Sequence, residues 1–226
     1  YAGQIPVVYV PNGWGQEATT GRLARESGFD FDRVAAVRRL WQLDEAPLIL
    51  LYSRFLEFRL ERIVNLVKEV AAHMPEARWL MVGQGLRGEE AKLRTLLTQA
   101  KLIEFVRFTG WPVEDLAAHF QAAAVAIYPY DDTLINRTKC SVKLIDLLAA
   151  GLPVVADAVG QNCEYIQAGV SGILVPPEND TAFSEAIVAL LRSPETRRRL
   201  GEKAARQIKE NFSWSYLSQR IEKVYT

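Results

Sequence analysis

The sequence predicts an α/β fold, a Rossmann-like doubly wound parallel sheet of about six strands with helices closing the C-terminus. Three observations carry that prediction. From Pro47 onward, short apolar runs alternate with longer amphipathic ones. The short runs are continuously apolar, as strands buried on both faces require. Three helical segments then follow one another with no strand between them.

Strands are expected at Leu48–Tyr52, Trp79–Val82, Phe105–Phe108, Val125–Tyr128, Val154–Ala156 and Ile173–Val175. Each is bounded by Gly, Pro, Ser or Asp, and most are rich in β-branched or aromatic residues. Between them, Ile63, Val67, Val70 and Met74 recur at helical spacing, as do Leu93 and Leu97, and Pro75 stops the first of these helices. Val142–Ala150 is an apolar helical run closed by Gly151. The closing helices are expected at Thr181–Leu191, Glu195–Glu210 and Trp214–Tyr225. Arg197, Arg198 and Arg199 read as a solvated face, because Glu195 and Glu202 dilute their field.

The first 46 residues are less regular. Ile5–Val10 is expected to be a strand ended by the turn sequence Pro11-Asn12-Gly13, and Asp32 to cap a helix running to about Trp41. The expected organisation is therefore a starting or interdomain segment over 1–46 and a Rossmann-like domain over 47–226.

Composition narrows the function. The 226 residues carry 27 Lys and Arg against 27 Asp and Glu, a formal net charge of zero, and 49% of them are apolar. That balance argues against nucleic-acid binding and against a polybasic membrane-surface role, which depend on excess positive charge. No apolar run approaches the ~18 residues that read as a membrane-spanning helix. Cys140 and Cys163 lack the spacing of a zinc site or a disulfide framework, so reducing cytosol is the expected compartment. The chain opens on Tyr1, and its first Met is Met74, so it is expected to be a piece of a longer protein.

Several motifs compete as candidate chemistry. Gly83-Gln84-Gly85-Leu86-Arg87-Gly88 spells GxGxxG between a strand and a helix, the pattern of a dinucleotide site. It follows the second strand rather than the first, and Glu89 and Glu90 stand where a pyrophosphate would sit. Two carboxylates there repel phosphate and suit a helix N-terminus, so a nicotinamide or flavin enzyme is the weaker reading. Asp30-Phe31-Asp32 spells DxD but sits where a helix cap is wanted. His73 and His119 fall within helices, and no GxSxG motif accompanies them.

The stronger case starts at Ser141, a good N-cap whose following amides point out of the helix toward any bound anion. Lys139 and Lys143 flank that end and oppose the helix dipole unless an anion compensates. Arg54 leaves the end of the first regular strand, and Arg59 follows five residues later. Two guanidiniums, a helix N-terminus and a lysine make a plausible diphosphate cradle, with basic residues near loop ends as the competing reading.

These residues belong to a ladder of motifs. Val10-Pro11-Asn12-Gly13, Ser53-Arg54-Phe55 with Arg59, Val82-Gly83-Gln84-Gly85, Phe108-Thr109-Gly110-Trp111, Asp146 with Gly151-Leu152-Pro153-Val154-Val155, Glu164, Gly172-Ile173-Leu174-Val175-Pro176 and Phe212-Ser213-Trp214 occur in order. The chain from Val8 to Tyr225 thereby resembles the C-terminal, nucleotide-sugar-binding half of GT-B retaining glycosyltransferases of the group 1, family 4 type. The resemblance implies transfer of a sugar from a nucleoside-diphosphate sugar to an acceptor hydroxyl, with retention of configuration and with no metal or cofactor. It implies Arg54 and Arg59 as the catalytic cations on the donor diphosphate. Gly83, Gly85, Trp111, Asp131, Lys139, Cys140, Ser141, Val142, Lys143 and Asp146 are the expected donor-binding residues, from the motifs and the helix N-terminus together. The acceptor half is expected on a separate N-terminal domain that this chain lacks, so the fragment alone is expected to be inactive. The longer protein is expected in the cytoplasm, with peripheral attachment at the inner membrane face as a further option.

The departures from the pattern matter as well. The family's paired glutamates fall on Thr138 and Asp146. Asp146 can still accept hydrogen bonds from ribose hydroxyls, whereas the first carboxylate is missing unless Asp131 or Asp132 supplies it from the loop Asp131–Lys139. Arg59 replaces Lys, which keeps charge but not geometry. A GT-B half that lost its chemistry and survives as a nucleotide-binding or scaffold module is the alternative that Thr138 favours.

Overall fold

The structure, a computed structural model, describes residues 7–15 and 30–225, with side chains as far as Lys223. Six strands, β1 (Leu48–Tyr52), β2 (Arg78–Val82), β3 (Val106–Gly110), β4 (Val125–Tyr128), β5 (Val154–Asp157) and β6 (Ile173–Val175), form one sheet. All pairings are parallel, in the order β3-β2-β1-β4-β5-β6. The chain reverses its direction of travel across the sheet between β1 and β4, and ligands of open α/β sheets bind at the strand C-terminal ends beside such a switch.

Side chains alternate along β1. Leu48, Leu50 and Tyr52 enter one hydrophobic layer and Ile49 and Leu51 the other. The first layer is covered by α1 (Phe31–Leu40), α4 (Leu116–Ala122), α6 (Val142–Ala149) and α9 (Pro194–Asn211). The second is covered by α2 (Leu60–His73), α3 (Glu89–Gln99) and α8 (Asp180–Arg192). Each buried Leu, Ile or Val contributes about 1.5–3 kcal/mol, so a one-residue slip of β1 would exchange whole layers at prohibitive cost. Short α5 (Leu134–Thr138) and α7 (Asn162–Tyr165) sit in the loops, and α10 (Trp214–Tyr225) ends the described chain. Among the described residues no helix is long and apolar enough to cross a membrane.

Several expectations are corrected. β3 starts at Val106 because Ile103–Phe105 forms a single 3-10 turn, and it runs on to Gly110. Asp30, not Asp32, caps α1: its backbone is extended and its carboxylate accepts from the Arg33 amide at 3.1 Å. Of the strand expected at Ile5–Val10, Ile5 and Pro6 lie outside the described residues, and residues 7–10 form no strand. Val7 is 93% exposed and Tyr9 56%, and among the described residues no strand pairs with them to supply the ladder a strand needs. Tyr9 instead donates to Glu164 at 2.7 Å, and further along Trp14 bridges to Ser213, with the Trp14 amide on the Phe212 carbonyl at 2.7 Å. The Pro11-Asn12-Gly13 and Phe212-Ser213-Trp214 motifs are thus partners in space.

Candidate functional site

A cleft of about 530 Å³ opens at the C-terminal ends of β1, β2 and β3 and against the N-terminal turn of α6. Arg54 reaches it because β1 ends in a tight turn. The Ser53 amide still bonds to the Val82 carbonyl at 3.1 Å, and its hydroxyl then accepts from the Phe55 amide at 2.8 Å. Phe55 takes a positive φ of 61°, which turns the chain there. Gly83 lines the same wall with φ +136°, and a Cβ there would stand 1.9 Å from the Ser53 carbonyl oxygen. Only glycine lets β2 end this close to the Arg54 turn.

On the opposite wall Ser141 caps α6, its Oγ accepting from the Leu144 amide at 3.4 Å and bonded to the buried Tyr128 hydroxyl. The amides that open α6 have no acceptor within the helix. Val142 and Lys143 line the cleft beside them, and Asp146 lines it one turn further on, 2% exposed. Burial lowers the Lys143 pKa, and the Arg54 charge lowers it further. Among the described residues neither Arg54 nor Lys143 has a carboxylate within 4.0 Å. Two cations outside any such ion pair, beside a helix N-terminus, form a site for an anion.

The third wall is the segment after β3. Trp111 is 44% exposed and stacks on Tyr52, with ring centroids 5.8 Å apart and an interplanar angle of 30°. Asp115 caps α4, accepting from the Ala118 amide at 3.0 Å. Its two oxygens also hold the Arg33 fork, Nε and Nη2 both at 2.6 Å. Sequence reasoning missed Arg33, Glu114 and Asp115. Asp115 alone carried a local signal, as a cap residue ahead of an apolar run.

Of the residues singled out from sequence, the cleft brings together Arg54, Gly83, Trp111, Val142, Lys143 and Asp146. The others lie elsewhere. The Arg59 amide donates to Asp131 at 2.8 Å and its guanidinium stands 3.5 Å from the same carboxylate. Asp131 also lies 3.8 Å from Arg62, and Asp132 pairs with Arg137 at 2.6 Å, so both carboxylates face arginines. Lys139 is ion-paired with buried Glu57. Ser141 is buried beneath the α6 turn, and Cys140, like Cys163, is an exposed thiol. The Thr138 hydroxyl turns back to the Leu134 carbonyl at 2.9 Å.

The competing motifs take structural roles. At the GxGxxG segment the Gly85 amide donates to Glu90 and the Arg87 amide to Glu89, each at 2.8 Å, so carboxylates occupy the place of a pyrophosphate. His119 is buried, accepting from the Trp41 indole at 3.0 Å, and burial lowers its pKa. Arg197 donates to the last carbonyls of α8 at 2.8 and 2.6 Å.

Residues 46–193, more than half of the chain, match the family described as Glycosyl transferases group 1. The chain belongs to that family. Among curated relatives of this group 1 glycosyltransferase chain is the phosphatidyl-myo-inositol mannosyltransferase of Mycobacterium leprae, 28% identical over 229 residues, which cover 99% of this chain and 58% of the relative. Sucrose-phosphate synthase from Thermosynechococcus elongatus superposes with a TM-score of 0.70 at 26% identity, over 96% of this chain and 51% of that one. Anabaena HepE, solved with UDP-glucose, shares the fold with a TM-score of 0.76 at 17% identity, over 96% and 56% of the two chains. The sheet is that of a GT-B half. The chain spans about half the length of the curated relatives it matches.

Proposed function

We propose that this chain is the donor-binding half of a glycosyltransferase that moves a sugar from a nucleoside diphosphate to an acceptor hydroxyl. The observation that carries this reading is the pair Arg54 and Lys143, two cations that face one cleft at the start of α6 with no carboxylate within 4.0 Å among the described residues. A diphosphate fits what they lack. Sugar transfer builds negative charge on the departing phosphate, and donors held in place before the reaction stabilise that charge. Arg54, Lys143 and the amides that open α6 would serve there, so that the chain itself supplies the charge otherwise asked of a metal. Asp146 would accept from the ribose hydroxyls. Arg59 joins them only by leaving Asp131. Retention of configuration belongs to the same proposal, as do the boundary near residue 47 and an acceptor half in the portion of the relatives that this chain does not span.

Calorimetric titration with GDP and UDP tests the reading. At least one should bind, and Arg54→Ala and Lys143→Ala should each weaken it by about tenfold or more, the loss of a charge-assisted contact. Binding untouched by both changes would reject the site.

A second reading, a GT-B half retained as a nucleotide-binding module without catalysis, is favoured by Thr138. No carboxylate stands at that position, and its hydroxyl is spent on α5. Both readings share the nucleotide site. Release of nucleoside diphosphate from a sugar nucleotide by the longer protein separates them.

A further inference from the structure

This inference rests on the donor-site reading above and concerns what fills the cleft beyond the diphosphate. Past Trp111 the wall is built by Glu114, Asp115 and Arg33. Asp115 is already engaged, since its oxygens hold Arg33 and the Ala118 amide. That clamp holds the Arg33 guanidinium and leaves Nη1 and the second N–H of Nη2 as its remaining donors. Glu114 is different. It is exposed in the cleft, and among the described residues it has no ion-pair partner. The third wall therefore brings a carboxylate with two oxygens and a clamped guanidinium to the same cleft.

Nucleobases differ in how they meet such a pair. Guanine carries N1–H and the 2-amino group side by side, two parallel donors that match the two oxygens of a carboxylate, with the O6 acceptor adjacent. Uracil offers one N3–H flanked by two carbonyl oxygens, which a carboxylate repels. Adenine offers its amino group beside an acceptor nitrogen, so one carboxylate oxygen would face a lone pair. Attraction to one base and repulsion of the others act together, as specificity requires. We propose that this cleft selects guanine, with Glu114 accepting from N1–H and the 2-amino group and Arg33 donating to O6, so that the donor is a GDP-sugar.

Titration of the chain and of Glu114→Gln with GDP and with UDP tests this. GDP should bind the unaltered chain at least about tenfold more tightly than UDP, the scale of hydrogen bonds to a charged group. Glu114→Gln should weaken GDP by about tenfold and leave UDP unchanged or tighter, closing the gap. A residue that merely supports the loop would move both nucleotides together. UDP binding as well as or better than GDP, or a gap that Glu114→Gln does not narrow, overturns the assignment of guanine while leaving the donor site standing. Failure of both nucleotides to bind overturns the donor site, and the guanine assignment with it.

Discussion

The Lys143 ammonium lies 5.1 Å from the centre of the Tyr52 ring, over an aromatic face rather than against a carboxylate. Its folded pKa lies below the ordinary 10.5, through burial first and Arg54 second. Between those two values the unfolded chain holds a proton that the folded chain has released, so stability rises with pH across that window. Below the folded pKa the penalty is present in full. Lys143→Met should therefore stabilise the unliganded chain by about 0.5–2 kcal/mol, a few degrees in melting temperature, while weakening nucleoside diphosphate binding by tenfold or more. Thermal melts with and without nucleotide check both halves. A lower melting temperature for the unliganded variant would contradict the electrostatic account.

Gly83 and Gly88 offer a matched pair. Both have positive φ, 136° and 76°, yet a Cβ on Gly83 meets the Ser53 carbonyl at 1.9 Å and one on Gly88 meets nothing within 4 Å. Gly88→Ala should cost about 1–2 kcal/mol, the left-handed backbone penalty alone. Gly83→Ala should cost more than about 3 kcal/mol, because the end of β1 must move as well, and nucleotide binding should weaken through displaced Arg54. Urea unfolding at pH 7 gives both values, and equal costs would refute the close approach.

The strands were legible because burial on both faces leaves an unbroken apolar run, a signal that needs no knowledge of partners. Helix α5 left no such trace. Its five residues are too short for a period to show, and Asn136 holds it in place by donating to the Glu57 and Asp131 carbonyls at 2.7 and 2.8 Å. Residues 7–10 look strand-like in composition, but among the described residues no ladder partner lies beside them. At the site, Arg54, Lys143 and Asp146 were visible because each sits on a motif at the end of a strand or the start of a helix. Arg33 and Glu114 were not, since what Arg33 does depends on Asp115, 82 positions away. Lys139 shows the same limit in reverse. It flanks the right helix, but Glu57, also 82 positions off, holds its charge.

That pairing predicts a behaviour opposite to that of Lys143. Burial would raise the Glu57 pKa, but the Lys139 ammonium and bonds donated by Ser53 and Leu56 outweigh it and hold it below the ordinary 4.5. The stability this supplies is present above 4.5 and is lost as pH falls through the lower folded value. Lys139→Met leaves a buried carboxylate alone and should cost about 2–3 kcal/mol at pH 7, less than a fully buried pair because Lys139 is partly exposed. The deficit should shrink near pH 4, where Glu57 in the variant becomes protonated. Unfolding curves at both pH values decide it. A deficit independent of pH would mean that Lys139 acts through packing alone.

Arg62 shows where the frame around the cleft is most vulnerable. Its guanidinium is 2% exposed and holds Asp157, 0% exposed, through two bonds of 2.8 Å, while Nε reaches Asp180 at 2.5 Å. Asp157 in turn accepts from the Tyr130 amide at 2.7 Å, at the start of the loop that leads through α5 to α6. Arg62→Met strands a buried carboxylate and should cost about 3–5 kcal/mol. Arg62→Met combined with Asp157→Asn should recover at least half of that loss, because the second change removes the stranded charge and keeps an acceptor for Tyr130. If the double variant proves as unstable as the single one, the loss comes from the missing packing of Arg62 and not from the buried charge.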